Sequence, residues 1–226
     1  MAGTHMRGVR LLSALALGLA LGFGSTAAFA SVDQDGRETS GTNLDGATVT
    51  ITPNSYNPAS SQCVVYSILL YDNTSPRQLE TGVIGCNGAT IDGTCTSGHG
   101  FSERYDGSAY YCAQGSTFPT GSTNPALIER TSGTTAMWGA TVGSYISQTG
   151  FGATDSIRSY VWAEATGGSA CPSRPHSVGF TIWKKFINAS GWSYVTSAPP
   201  YIYGQFPASP CWTIGSLSST GDFNAS

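Results

Sequence analysis

The chain has 226 residues, of which 40% are hydrophobic, 11% aromatic and only 10% charged, with a net charge of −3. So many aromatic side chains can supply a core, which argues against a disordered low-complexity chain despite the 29 glycines. The acidic balance argues against nucleic acid and anionic lipid as partners.

Residues 1–30 read as a secretory leader. Arg7 and Arg10 give a basic start, LLSALALGLALGF an apolar run of signal-peptide length, and AFA a small-residue cleavage site ending at Ala30. The run is too short for a comfortable membrane span, and no later stretch is long and apolar enough. The expectation is a secreted, extracellular protein cleaved after Ala30, with no membrane contact in the mature form. Arg7 and Arg10 leave with the leader while every acidic residue stays, so the mature chain is more acidic still.

Residues 31–45, SVDQDGRETSGTNLD, are polar and read as a flexible lead-in. From there to residue 215, short β-branched and aromatic runs alternate with Gly, Ser, Asn and Pro turns. They are ATVTIT, CVVYSILLYD, RQLETGVIG, GFSERYD, SAYYCAQ, ALIERT, GSYISQTGF, SIRSYVWAEA, SVGFTIWKKF and GWSYV. Strands at this spacing without a helical period predict one all-β domain over 46–215, a sandwich or barrel. Residues 216–226 read as a frayed tail.

Six cysteines, Cys63, Cys86, Cys95, Cys112, Cys171 and Cys211, follow the leader. An even count in a secreted chain predicts three disulfides, and six cysteines allow fifteen pairings. The turn dipeptides Asn87-Gly88 and Asp92-Gly93 in CNGATIDGTC favour a Cys86–Cys95 bridge. With no Cys-x-x-Cys pair, and with His99 and His176 as the histidines beyond the leader, a metal site is not expected. A serine triad is also poorly supported, because no Gly-x-Ser-x-Gly elbow occurs.

Carboxylates carry the remaining chemistry. Alternation along a strand puts Glu164 on one face with Tyr160 and Trp162, and Glu103 with Phe101 and Tyr105. Glu80 alternates with Leu79, Thr81 and Val83, which assigns it to a wetter face or a concave cleft. Two carboxyls across a cleft cannot both ionise cheaply, so one keeps a proton as acid while the other activates water. The simpler reading makes Glu80 a solvated strand residue and Glu164 a strand-end partner of Arg158 or Arg174.

VVYSILLYD followed by RQLETGVIG resembles the strand pair of the glutamic peptidases, the eqolisin group, with the plant neprosins as distant kin. RSYVWAEATGG is similar to that family's later catalytic strand, and SVGFTIWKKFINAS to its closing strand. A second echo of the first motif, SQTGFG, surrounds Gln148. The resemblance covers about residues 45–190 and implies a jelly-roll-like antiparallel sandwich that hydrolyses peptide bonds at low pH. Carried over by position, Glu80 and Glu164 are the catalytic pair, with Glu164 activating water and Glu80 donating the proton. Tyr160, Trp162 and Glu103 are then candidate substrate-binding residues.

The expected substrate is a polypeptide or a glycan, acted on by a monomer with no metal or organic cofactor. Two other functions fit the same sandwich. Trp138, Trp162, Trp183, Trp192 and Trp212 could stack on sugar rings, for glycan binding or glycoside hydrolysis. The chain could also be a non-catalytic surface interaction protein. Exposure of two or more tryptophans along one groove would favour the sugar reading.

Overall fold

A computed structural model of the chain describes residues 32–39, 44–56, 58–89, 95, 98–130, 137–141, 144–152, 156–167, 171, 177–187, 190–204 and 211–226. The proposed leader and its cleavage site lie outside them. The regular elements are strands: β1 (Val32–Glu38), β2 (Gly46–Ser55), β3 (Gln62–Asp72), β4 (Arg77–Asn87), β5 (His99–Tyr105), β6 (Tyr110–Thr117) and β7 (Asn124–Arg130). They continue as β8 (Met137–Thr141), β9 (Ser144–Gln148), β10 (Ile157–Gly167), β11 (Ser177–Ile187), β12 (Gly191–Tyr194), β13 (Pro200–Gly204) and β14 (Phe223–Ala225). Each of the ten runs picked out from the sequence forms a strand.

Two antiparallel sheets pack as a sandwich. Sheet A has the order β13-β1-β10-β3-β4-β5-β6, and sheet B the order β12-β11-β2-β7-β8-β9 with β14 on β11. Their inner faces make the main core. Val64, Tyr66, Ile68 and Leu70 of β3, Leu79 and Val83 of β4, and Val161 and Ala163 of β10 belong to it. Val49 and Ile51 of β2, Ile128 of β7, and Phe180 and Trp183 of β11 complete it from sheet B. Burial does not stop there. β3 is buried at every position, and β10 nearly so, so the outer face of sheet A is dry at its centre, while the edge strand β6 is largely exposed. A strand covered on both sides reads as a continuous apolar run, as CVVYSILLY does.

Two stretches expected to be loose contribute strands among their described residues. The polar lead-in contributes β1, which pairs with β10 on one side and β13 on the other. The tail contributes β14, which pairs with β11, and Ile214 bridges back to Ala225. Arg37 of β1 ties them together: Nη1 donates to the Ala198 carbonyl at 2.6 Å and Nη2 to the Gly215 carbonyl at 2.6 Å. Tertiary pairing here overrides weak local strand preference. The tail also docks on a bulge in β11, where Ile182 has φ 57° and donates its N–H to Asp222 Oδ1 at 2.8 Å. Gly221 lies against that bulge with φ +76°, and a Cβ there would meet the Trp183 carbonyl oxygen at 2.4 Å.

The disulfides are Cys63–Cys86, Cys95–Cys112 and Cys171–Cys211. The expected Cys86–Cys95 bridge is therefore corrected. Cys63 and Cys86 face each other directly in the β3–β4 ladder, so register outweighs closeness along the chain. Among the described residues no helix is long and apolar enough to cross a membrane.

Candidate active site

Residues facing each other across antiparallel strands point the same way, so the register lays the outer face of sheet A out in rows. One row crosses Glu38 (β1), Tyr160 (β10), Leu69 (β3), Glu80 (β4), Glu103 (β5) and Cys112 (β6). The next crosses Gly36, Trp162, Ser67, Gly82 and Phe101. A third crosses Gln34, Glu164, Val65, Ile84 and His99. On the other side of the Glu80 row lie Arg158, Tyr71, Gln78 and Tyr105.

Glu80 is anchored on this face by two side-chain donors. It is 2% exposed, not solvated as the simpler reading had it. Ser67 Oγ donates to its Oε1 at 2.5 Å, and Trp162 Nε1 donates to the same oxygen at 3.1 Å. Two donors on one carboxyl oxygen support its charged form, against the burial that disfavours it. The LETG motif explains the fit. Gly82 faces Ser67, and a Cβ at Gly82 would come within 2.7 Å of the Ser67 Cβ, disturbing the hydroxyl that holds Glu80.

Directly across the ladder from Glu80 stands Glu103, 4% exposed. Cross-strand partners have Cβ atoms about 5 Å apart. The register thus places two buried glutamates directly opposite each other on one face, and Glu103 is one of the residues the sequence singled out for substrate binding.

Glu164 shares the face with Glu80 but stands elsewhere on it. It is 3% exposed, and Gln34 Nε2 donates to its Oε2 at 2.8 Å. Two strand spacings across and four residues along put its Cα about 16 Å from that of Glu80. Trp162 lies between them, and it is the β10 side chain that reaches Glu80. Arg158 pairs with Glu38, not with Glu164. Arg174 and His176 lie outside the described residues. Gln148 is on β9 of sheet B, away from Glu80, and bonds the Thr149 carbonyl at 3.0 Å.

Tyr160 and Trp162 form an aromatic wall with Tyr201 of β13. The ring centroids lie 5.7 Å apart for Tyr160–Trp162, 5.4 Å for Tyr160–Tyr201 and 6.1 Å for Trp162–Tyr201. Burial, helped by the Glu38 charge, raises the Tyr160 phenol far above its ordinary value and keeps it neutral. Ser67, Gln78, Tyr71 and Gln34 were not anticipated. Parity along each strand could have assigned them to this face, but nothing in a single sequence says which rows they join. Among the described residues no three His, Cys, Asp or Glu side chains are grouped so as to hold a metal ion.

The tryptophans divide. Trp162, Trp183 and Trp212 are buried, whereas Trp138 and Trp192 are 38% and 39% exposed. Both exposed rings belong to one row on the outer face of sheet B, through Phe186, Gly46 and Glu129.

No family model and no curated protein sequence matches the chain. Solved structures do. A complex of scytalido-glutamic peptidase with a transition-state analog inhibitor superposes with TM-score 0.60 at 16% identity, over 86% of this chain and 97% of that one. The fold is that of the glutamic peptidases. A second complex of that enzyme, with a peptide-based transition-state analog, gives TM-score 0.58 at 14% identity over the same shares. SCP-B, a member of the eqolisin family of peptidases in complex with the tripeptide Ala-Ile-His, gives 0.54 at 14% identity, again over 86% and 97%. At such identities the likeness carries the glutamic-peptidase architecture and leaves the chemistry to the side chains.

Proposed function

We propose that the protein is an acid-acting hydrolase of the glutamic-peptidase type, exported to an oxidising extracellular compartment, with polypeptide as substrate. The observation that carries this reading is the buried Glu80–Glu103 pair, with Ser67 and Trp162 both bonded to one Glu80 oxygen. The architecture and three disulfides support it further.

Neighbouring carboxyls in dry surroundings hold one proton between them. The donors on Glu80 favour the charge there and leave the proton on Glu103. Glu80 then takes a proton from water as the water oxygen adds to the peptide carbonyl carbon. Glu103 gives its proton to the amide nitrogen, the C–N bond breaks, and the amine leaves. The proton now on Glu80 passes to Glu103 and restores the pair. Glu164 and the Tyr160–Trp162–Tyr201 wall border the polypeptide in this reading.

The test is hydrolysis of denatured casein at pH 3–4 by the wild type and by Glu80→Gln, Glu103→Gln and Glu164→Gln. The expected outcome is loss of activity in the first two variants and most activity retained in the third. Loss in Glu164→Gln with activity retained in Glu103→Gln would return the pairing to Glu80 and Glu164. Equal proteolysis throughout, or none, removes the enzyme.

A second reading has its own observation. Trp138 and Trp192, with the exposed Tyr145 and Tyr194, form an aromatic surface on sheet B suited to a neutral glycan. Retention on insoluble cellulose or chitin, lost in Trp138→Ala and Trp192→Ala, would support it. Equal elution of all three proteins would dismiss it.

A further inference from the structure

We propose that Arg158 selects the substrate: its guanidinium binds a carboxylate of the polypeptide about three or four residues from the scissile bond. This rests on the hydrolase reading of the Glu80–Glu103 pair and extends it to substrate choice. Arg158, Tyr160, Trp162 and Glu164 alternate along β10, so their side chains leave the outer face of sheet A, the face of the acid pair. Arg37, Arg77 and Arg104 of the same sheet face the other way, in register with Val161, Asp72 and Leu79. Among the described residues of these strands, Arg158 is therefore the Lys or Arg on the acid-pair face.

The guanidinium is held at the edge of the site. Its Nη1 donates to Glu38 Oε1, and the Tyr160 phenol is a second hydrogen-bond partner. The side chain is nevertheless 35% exposed. A guanidinium is a flat fork of N–H donors that matches a carboxylate, and these two bonds leave further donors open to solvent. As a strut between β1 and β10 the Arg158–Glu38 pair has little to do. β1 is paired with β10 along its whole length, and a partly exposed ion pair adds little to that.

Geometry sets the reach. Two strand spacings across and two residues along put the Arg158 Cα about 12 Å from that of Glu80. Extended chain advances about 3.4 Å per residue, so a polypeptide with its scissile bond over the acid pair brings its third or fourth residue to Arg158. Electrostatics sets the sign. Glu38, Glu80, Glu103 and Glu164 share this face, so a substrate carboxylate is repelled along much of it and attracted at the guanidinium. A cation at a fixed distance from the acid pair then decides where along the polypeptide the cut falls.

The experiment measures kcat and KM at pH 4 for matched peptides built on a cleavage site mapped in casein. In one pair the chain ends four residues past the scissile bond, in a free carboxylate or in an amide. In the other pairs Asp or Asn stands three or four residues before or after that bond. At pH 4 a chain-terminal carboxyl is mostly ionised and an aspartate about half. The wild type should cleave the carboxylate member of at least one pair with kcat/KM about 5–10-fold higher. Most of that difference should lie in KM, because a contact far from the reacting bond is made equally before and during the reaction. A response in the terminal pair identifies a chain end as the ligand, and a response in an Asp–Asn pair an acidic side chain. In Arg158→Met the ratio within the pair should fall to about one. The double variant Glu38→Gln/Arg158→Met, which leaves no unpaired carboxylate behind, should lose the preference equally.

Equal cleavage within every pair by an active wild type overturns the inference and leaves the hydrolase reading standing, as does a preference that survives in both variants. Absence of hydrolysis by the wild type, or full activity in Glu80→Gln, overturns the hydrolase reading, and this assignment with it.

Discussion

Replacing Glu103 by Gln should stabilise the protein at neutral pH and leave it unchanged in acid. Glu80 and Glu103 face each other in register and are both buried. Taking the Cβ spacing of such partners, about 5 Å, as the charge separation and an effective dielectric of about 20, two charges would repel by about 3 kcal/mol. Sharing one proton would remove that repulsion, and the prediction is that the proton is held more tightly in the folded protein than in the unfolded chain. A glutamate whose folded pKa is raised binds its proton more tightly folded than unfolded. It leaves stability intact below the unfolded value of about 4.3 and lowers stability as pH rises above it. Glu103→Gln removes the penalty: its stability gain should be near zero at pH 4 and approach about 3 kcal/mol by pH 8. Urea unfolding at pH 4, 6 and 8, followed by tryptophan fluorescence, measures it. Glu129→Gln, on the outer face of sheet B, is the control and should show no such trend. Wild type and Glu103→Gln running parallel across this range would refute the claim that the two carboxyls share a proton.

Three further outcomes follow from particular contacts. Asp72, fully buried at the end of β3, would be raised by burial, but bonds from Ser75 Oγ, Gly152 N, Ser156 Oγ and Thr74 N together hold it well below the carboxylate range. Asp72→Ala should cost about 2–4 kcal/mol at pH 7 by urea unfolding, a difference that shrinks below about pH 4, where the wild type loses this contribution as Asp72 is driven toward protonation. Ile182→Gly should raise stability by about 1 kcal/mol, since a β-branched residue at φ 57° is strained and its side chain is exposed; a lower urea midpoint would contradict this. Trp162→Phe removes one of the two donors on Glu80 Oε1, so peptidase activity should fall more at pH 3 than at pH 5, with the acid limb of the pH profile moved upward.

Much of the fold was legible because its central strands advertise themselves. CVVYSILLY and SYVWAEA are buried on both sides and carry unbroken apolar and aromatic runs. β1 carried no such signal. Its sequence, VDQDGRE, has no apolar alternation, and it becomes a strand because β10 and β13 flank it and Arg37 binds carbonyls of the later chain. The tail strand β14 is only three residues long, and its pairing with β11 depends on a bulge that local sequence does not reveal.

The site was legible by face and illegible by register. Alternation along single strands correctly grouped Glu164 with Tyr160 and Trp162, and Glu103 with Phe101, because that grouping needs no second strand. The β3–β4 turn of four residues, Asn73 to Pro76, then fixes Glu80 opposite Leu69 and Gly82 opposite Ser67. No comparable turn joins β4 to β5: the chain between Asn87 and His99 includes Cys95, held to Cys112, so its length does not set the register. Pairing energetics would also mislead, since like charges directly opposite are disfavoured in a sheet and any register chosen for stability avoids Glu80 against Glu103. The observed ladder accepts that cost on a dry face, beside two donors dedicated to one of the acids. A local rule broken at a buried position is where a functional role is first to be sought, and the Glu80 and Glu103 variants test whether it is found there.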